Sequence, residues 1–402
     1  MTPAAPSTRP GRLSKRASFL LLASIVVSFL AGSSAATPLY AVYQAAWGFS
    51  PVTVTVVFGV YALAVLASLL VVGSLSDHVG RRPVLLVATL MQVVTMGLFV
   101  TAHGVGALLA ARVVQGIATG AAVGAAGAGM LDLDRDRGTV ANGVGPVLGT
   151  ATGSLLSGLL VQFLPLPTKL VYLVLGAVFL VQMAGVHAMP ESATTTPGAL
   201  ASLRPRLRVP AHLRGAVLVA APALVGAWAL AGFYGSLGPS LVRRLAGSGS
   251  PALGGLSLFV LAAGGAVTVL VSRTRPAHVA TALGTAALAL GVGVTLIAID
   301  RASVAVFFVG TAVAGAGFGA AFHGAIRSVL SLAAPHERAG VLSVLYVIAY
   351  LSMGLPAILA GVRVVHGGGI VTTADEYGLG VMALAMAAMA GTWWRRPTPQ
   401  WA

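Results

Sequence analysis

The sequence predicts an all-α integral membrane protein with twelve transmembrane helices in two six-helix bundles. Three observations carry that reading. First, Lys and Arg number 24 and Asp and Glu 9, only 8% of 402 residues, while 57% are hydrophobic and the mean hydropathy is +0.94. Soluble domains carry about 25% charged residues, so a chain this poor in charge cannot wet a surface of its own size. It is also far too apolar for disorder. Second, apolar stretches recur at the length of about 20 residues that crosses a bilayer core. Third, a segment rich in Pro, Ser, Thr and Arg divides those stretches six and six.

Residues 1–17, with Pro3, Pro6 and Pro10 among small polar residues, read as a disordered cytoplasmic tail. Spans 1 to 6 are expected at 18–43, 52–74, 83–102, 106–130, 140–163 and 169–189, forming an N-terminal bundle over 18–189. Residues 190–214 read as a cytoplasmic linker. Spans 7 to 12 are expected at 215–237, 252–272, 278–299, 303–328, 341–363 and 378–394, forming a C-terminal bundle over 215–394, with a short tail at 395–402. Lys15-Arg16 and the small residues Ala31 to Ala36 admit a cleaved leader as a rival reading of span 1. The apolar run is too long for one, and its removal would leave an odd number of spans.

Basic residues set orientation. With the N-terminus inside, the cytoplasmic side holds Arg9, Arg12, Lys15, Arg16, Arg81, Arg82, Arg135, Arg137, Arg204, Arg206, Arg208, Arg214, Arg273, Arg275, Arg327, Arg338, Arg395 and Arg396. The other side holds Arg112, Lys169, Arg243, Arg244, Arg301 and Arg363. Both termini are therefore expected in the cytoplasm. The net charge of +15 reflects this topology and does not call for nucleic acid. Cysteine is absent, which excludes disulfides and thiolate chemistry.

Shifting the chain by half its length aligns Asp136-Arg137 with Glu337-Arg338, Gly116 with Gly317, and Gly153 with Gly354. Six spans return the chain to its starting side, so the halves read as parallel repeats about an axis along the membrane normal.

The most specific motif lies between spans 2 and 3: Gly73-Ser74-Leu75-Ser76-Asp77-His78-Val79-Gly80-Arg81-Arg82-Pro83. Gly73 permits close helix approach, and Gly80 permits a tight turn at positive φ. Asp77 is placed to reach Arg81 and the N-terminus of another helix, where an anion is favoured. Such a cluster can hold one conformation shut, or it can act as a fixed hairpin staple. Span 4 carries Arg112-Val113-Val114-Gln115-Gly116 and Gly120; span 5 carries Gly145-Pro146-Val147-Leu148-Gly149, with Thr150 next; span 6 ends in Pro190-Glu191-Ser192.

These motifs resemble those of the major facilitator superfamily over nearly the whole chain. The loop is similar to its G-x-L-x-D-x-x-G-R-R/K signature, and span 4 to its R-x-x-Q-G-x-x-x-G/A pattern. Span 5 resembles the G-P-x-x-G-G motif of drug:proton antiporters, with Thr150 in place of the final Gly. The resemblance implies a secondary transporter working by alternating access. It implies a conformational latch of Gly73, Asp77, Gly80, Arg81 and Arg82 with an acid at the end of span 4, Asp132 first and Asp134 second. It also implies a packing role for Gly145, Pro146 and Gly149.

None of the nine acids falls in the middle of a span. This departs from relatives with a carboxylate in span 1 or span 4, and argues against a simple carboxylate relay. Arg112 and His323 are the ionisable groups left within spans. A buried Arg costs about 2.5–3.5 kcal/mol on insertion scales, so Arg112 reads as a cavity charge, with Gln115 on the same face, or as a residue snorkelling to the interface. His323 titrates near working pH and is the candidate proton carrier, or a simple helix-contact residue. Ser33, Thr37, Tyr40 and Gln44 form a polar stripe on span 1, which Pro38 is expected to kink. With Tyr61, Asn142, Trp228, Tyr346 and Tyr350 the stripe is expected to line a cavity between the halves.

The chain lacks a G-x-x-x-x-G-K-S/T loop and an H-E-x-x-H motif, so neither an ATP motor nor a zinc protease is expected. The expected protein is not an enzyme. It is a monomer in the plasma (inner) membrane, with the lipid bilayer and a small molecule as partners and no cofactor. The expected activity is export of a small hydrophobic drug or metabolite in exchange for protons. The alternatives are an importer of a small nutrient on the same fold and a non-transporting membrane sensor.

Overall fold

The computed structural model describes residues 13–205 and 207–394; residues 1–12 and 395–402 of the two expected tails, and Arg206 in the linker, lie outside them, while residues 15–17, expected in the first tail, are helical. Span 1 is α1 (Lys15–Ala35) and α2 (Tyr40–Trp47). The break falls at Ala36 to Leu39, around Pro38, which cannot donate to a helix. Span 2 is α3 (Pro51–Val72), and a short α4 (Ser76–Val79) precedes span 3, α5 (Arg81–Val100). Spans 4, 5 and 6 are α6 (Val105–Leu133), α7 (Arg135–Phe163) and α8 (Leu170–Ala188). The linker contains α9 (Ala199–Ser202). Span 7 is α10 (Ala211–Ser236) followed by α11 (Gly238–Ala246); spans 8 to 10 are α12 (Pro251–Ser272), α13 (Ala277–Asp300) and α14 (Val304–Leu330). Spans 11 and 12 are α15 (Arg338–Arg363) and α16 (Gly369–Trp394).

By length and hydropathy, 11 candidate spans appear, the last a 55-residue stretch from Arg338 to Thr392. At about 1.5 Å per residue such a stretch is far longer than a bilayer core of about 30 Å. It turns back at His366 and Gly367, where φ/ψ leave the helical region, and Gly367 stands at φ 107. Two passes result, and the chain crosses twelve times.

Several helix ends differ from expectation. Span 1 begins at Lys15 instead of 18 because the Ser14 hydroxyl caps it, accepting from Ala17 N at 3.2 Å. Span 7 begins at Ala211 instead of 215, directly after Pro210. Span 12 begins nine residues early, at Gly369 instead of 378, because its polar first turns are paired: Glu376 accepts from Arg363 Nη2 at 2.7 Å and Thr373 donates to Gly369 O at 2.7 Å.

Span 1 packs on spans 4, 5 and 6, within the first bundle. The two halves meet chiefly where α7 crosses α12 and α3 crosses α15. Apolar side chains turn outward elsewhere: Leu283, Leu290 and Ile297, seven residues apart on α13, are 65%, 63% and 59% exposed, a lipid-facing line. The repeat register needs correction. Gly116 and Gly120 press span 4 against the carbonyls of Tyr61 and Val65 on span 2, and Gly315 and Gly319 press span 10 against those of Leu261 and Gly265 on span 8. The equivalents of Gly116 and Gly120 are thus Gly315 and Gly319; Gly317 faces span 9 instead, against Leu288. Likewise Gly153 lies on span 1 at Ala31, whereas Gly354 lies across the seam at Gly59 and Ala62. The helices repeat, but the small residues that let them approach do not keep one offset.

Candidate functional site

Two polar clusters stand out, one on the face that carries the 2–3 loop and linker, and one inside the first bundle. We call the former the basic face. There Gly80, at φ 102, turns the chain from α4 into α5. Arg81, 7% exposed, donates to Ser76 Oγ at 2.7 Å, to Asp132 Oδ2 at 3.2 Å, and to Asp77. The loop and the end of span 4 are thus tied by one guanidinium. Asp134 does not join them; it caps α7, accepting from Arg137 N at 3.0 Å. Gly73 lets span 2 approach Gly124 of span 4.

Asp77 was expected at a helix N-terminus. Glu191 stands there in its place. Its carboxylate accepts from Arg81 N at 2.9 Å and Arg82 N at 3.0 Å, the orphan donors that open α5, and from Ser192 N at 3.0 Å and Ala193 N at 3.1 Å. The Arg82 guanidinium donates to His187 O. The linker covers this cluster: Ser74 Oγ donates to Ser202 O at 3.0 Å, and Thr196 N to His78 O at 3.3 Å. Glu191 was visible in the sequence as part of Pro190-Glu191-Ser192, but nothing in a linear reading pairs it with a loop 110 residues earlier.

Inside the first bundle, Arg112 is fully buried, so it does not snorkel. It donates to Ser33 O at 2.8 Å, to Gln115 Oε1 at 2.6 Å and to the Tyr40 hydroxyl. Its Cζ lies 5.4, 5.1 and 5.9 Å from the ring centroids of Tyr40, Tyr61 and Phe99. Gln115 Nε2 donates to Gly32 O at 3.1 Å. No carboxylate is among these partners; carbonyls, a hydroxyl and ring faces carry the charge. Gln92, which the sequence reading passed over, is fully buried beside Gly32 with its amide unpartnered. Its only sequence signal is one amide in an otherwise apolar span.

The span 1 stripe does not line one cavity. Tyr40 serves Arg112. Thr37 crosses the seam and donates to Gly235 O of span 7 at 3.1 Å, and Ser33 bonds its own helix at Leu30 O. Gln44 borders a separate cavity of about 520 Å³ with Arg244 and Gly368 on the face opposite the loop. Asn142 ties span 5 to span 4, its Nδ2 donating to Gly127 O at 3.0 Å. Gly145 and Gly149 bring span 5 onto Val26 and Val27 of span 1, and Thr150 donates to Pro146 O at 3.0 Å. The residue that departs from the family pattern thus has a structural partner.

The seam is sealed toward the opposite face by small residues: Thr37 on Gly235, Gly59 on Gly354, and Ser154 donating to Gly255 O at 2.8 Å. Deeper toward the basic face, a methyl group on Gly143 would meet Cε1 of His323 at 2.9 Å, so the imidazole of span 10 rests on span 5. Beside it, the Trp228 ring lies 5.0 Å from Tyr350 and 5.1 Å from Phe322, and Tyr346 lies 6.4 Å from Tyr350. These aromatics and His323 are only partly buried.

A family model described as Major Facilitator Superfamily matches residues 21–355. No curated protein matches the sequence significantly. Among solved structures, the chain is similar to the nucleoside transporter NupG, with a TM-score of 0.69 at 13% identity, covering 94% of this chain and 100% of that one. It is also similar to the human organic anion transporter MFSD10 (TETRAN), with a TM-score of 0.65 at 18% identity over 94% and 100%. A third likeness is to a bacterial homolog of the human lysosomal transporter Spinster in an inward-facing, unoccupied conformation, with a TM-score of 0.72 at 14% identity over 97% and 100%. At these identities each likeness is one of fold.

Proposed function

This chain belongs to the major facilitator superfamily, and from that premise we propose that it exports a small hydrophobic compound from the cytoplasm in exchange for protons. The basic face is the cytoplasmic one, and the membrane is the plasma membrane. Residues 18–189 and 215–394 rock against each other about the seam. The seal at Thr37, Gly59 and Ser154 closes the outer half, which leaves the cytoplasmic side as the open one in this state and is compatible with loading from the cytoplasm.

One observation carries the coupling: His323 lies against span 5 at the crossing of the halves, while none of the nine acids lies between the bundles at membrane depth. A group with an ordinary pKa of about 6.5 can load and release a proton there. The partly buried aromatic wall beside it offers apolar contact for the cargo. The loop cluster around Arg81 serves as the latch of one state, with Asp77 and Asp132 as its acids.

The test is proton movement in everted vesicles energised to an acid interior. A panel of lipophilic compounds is added while a pH dye is followed, with Arg112→Ala as control. Compound-triggered loss of the gradient, absent in the control, supports proton-coupled export. Silence from correctly inserted protein sinks it and favours uptake of a nutrient, to be followed with radiolabelled compounds.

A further inference from the structure

The cavity of about 520 Å³ on the face opposite the loop lies apart from the transport path proposed above. It sits just beyond the seal. Leu237 and Ser240 follow Gly235, which accepts from Thr37, and Val364 follows Gly361, where an added Cβ would overlap Thr55. Its walls come from both bundles: Gln44 and Val54 from spans 1 and 2, Ser240 and Arg244 from span 7, and Ile370 from span 12. The volume falls within the range of about 300–1,000 Å³ typical of small-molecule sites.

The charge at this cavity is one-sided. None of its lining residues is acidic, and Arg244 stands exposed on its wall. Other arginines on the same face are already engaged. Arg301 pairs with Asp300 at 3.5 Å, Arg363 forks onto Glu376 at 2.8 and 2.7 Å, and Arg243 Nε donates to Pro239 O at 3.1 Å. Among the described residues the Arg244 side chain has neither an ion pair nor a hydrogen bond, and nor do the side chains of Gln44 and Ser240. Gly368, also on the wall, touches Arg363: a Cβ there would lie 3.1 Å from Nη1, but Glu376 balances that charge. A free guanidinium, an amide and a hydroxyl therefore border a space otherwise walled by side chains such as Val54, Leu237 and Ile370. A guanidinium fork matches a carboxylate with two parallel hydrogen bonds, and apolar walls suit a hydrocarbon body. A cation would meet Arg244 with no acid on the wall to offset it.

We propose that this cavity binds an amphiphilic organic anion, with Arg244 as its charge partner, and that occupation holds the seal shut. The second half follows from the walls. When the bundles part on this face, Gln44 and Val54 move away from Arg244, so a ligand that needs both sides favours the closed seal. Neither half depends on the direction or the coupling of transport. A free solute and the head of an acidic lipid share this chemistry, and the experiment separates them.

The experiment is calorimetry on the full chain in phosphatidylcholine nanodiscs. Three probes share one body: 4-phenylbutyrate, 4-phenylbutanamide and 4-phenylbutylammonium. The carboxylate binds, and the amide and the ammonium bind about tenfold more weakly or less. Arg244→Gln, a change at an exposed side chain, brings the carboxylate within about threefold of the amide. Phosphatidylglycerol added to the disc weakens the carboxylate by more than about fivefold where the lipid head holds the site, and by less where the ligand is a free solute. The clamp is read at Ser154→Cys, on a limb of the seal that does not border the cavity. The carboxylate slows its labelling from the opposite face about threefold or more, and has no such effect once Arg244→Gln is added. The site is overturned if no probe binds, if the amide binds as tightly as the carboxylate, or if Arg244→Gln leaves the carboxylate's affinity unchanged. The clamp is overturned if the carboxylate binds while labelling keeps its rate.

Discussion

Arg112 and Ser33 are joined at 2.8 Å by a guanidinium-to-carbonyl hydrogen bond that pins span 4 to span 1 just before its break at Pro38. The same guanidinium reaches Gln115 and the Tyr40 hydroxyl beyond the break. Span 1 is thus held on both sides of its weak point by one planar group. Lysine keeps the charge but not the fork. Arg112→Lys is expected to lower transport by about tenfold or more with expression unchanged, because it leaves buried acceptors unmet at about 1–3 kcal/mol each. Initial rates in vesicles, normalised to inserted protein, check this. A parent-like rate in the lysine variant means that charge alone suffices.

Glu191 holds the start of α5 through two backbone N–H groups, those of Arg81 and Arg82, and also accepts from the linker N–H groups of Ser192 and Ala193. Glu191→Gln keeps the shape but removes the anion from a helix N-terminus and turns one oxygen into a donor. The expected cost is about 1–3 kcal/mol. It should appear as a lower Tm and as faster amide exchange at residues 81 and 82. Asp77, by contrast, is 53% exposed at its side chain and pairs only with Arg81. Asp77→Asn is expected to cost less than about 1 kcal/mol in this conformation. Should Asp77→Asn lower Tm more than Glu191→Gln, the loop is held by the ion pair and the capping account is wrong.

The fold was legible because span length and charge distribution are one-dimensional signals. The loop cluster was half legible. Gly80, Arg81 and Asp132 meet as the motif implies, but Glu191 was missed because its partners are amide groups, which leave no side-chain signature. The span 1 stripe was misread for a related reason. Residues at helical spacing share a face only while the helix continues, and at Pro38 it does not, so Tyr40 points to Arg112 while Thr37 reaches Gly235. The repeat register failed where small residues changed partners between the halves.

The opposite-face seal rests on glycine. A Cβ on Gly255 would overlap the Ser154 carbonyl, and one on Gly361 would overlap Thr55. Gly255→Val is therefore expected to push the seam apart without touching either bundle's own core. The chain contains no cysteine, so a single Thr37→Cys reports the seam directly. Thr37 is 2% exposed, and its labelling from the opposite face should be slow in the parent seal and about tenfold faster with Gly255→Val added. Equal labelling in both backgrounds would show that the glycine contact does not hold the seal.

His323 faces the sharpest test. Phenols and guanidiniums ordinarily give up their protons only far above neutrality, so neither tyrosine nor arginine serves as the carrier near pH 7. With the acids confined to the membrane faces, the imidazole is the one group at the crossing whose ordinary pKa suits the task. His323→Gln preserves size and hydrogen bonding but cannot carry a proton. Gradient-driven transport is expected to fall about tenfold or more and to lose its pH dependence. Counterflow of labelled substrate at equal pH, which needs no net proton movement, should stay within about twofold. Loss of both activities would make His323 a structural contact against Gly143; retention of both would mean that the coupled proton travels by another route.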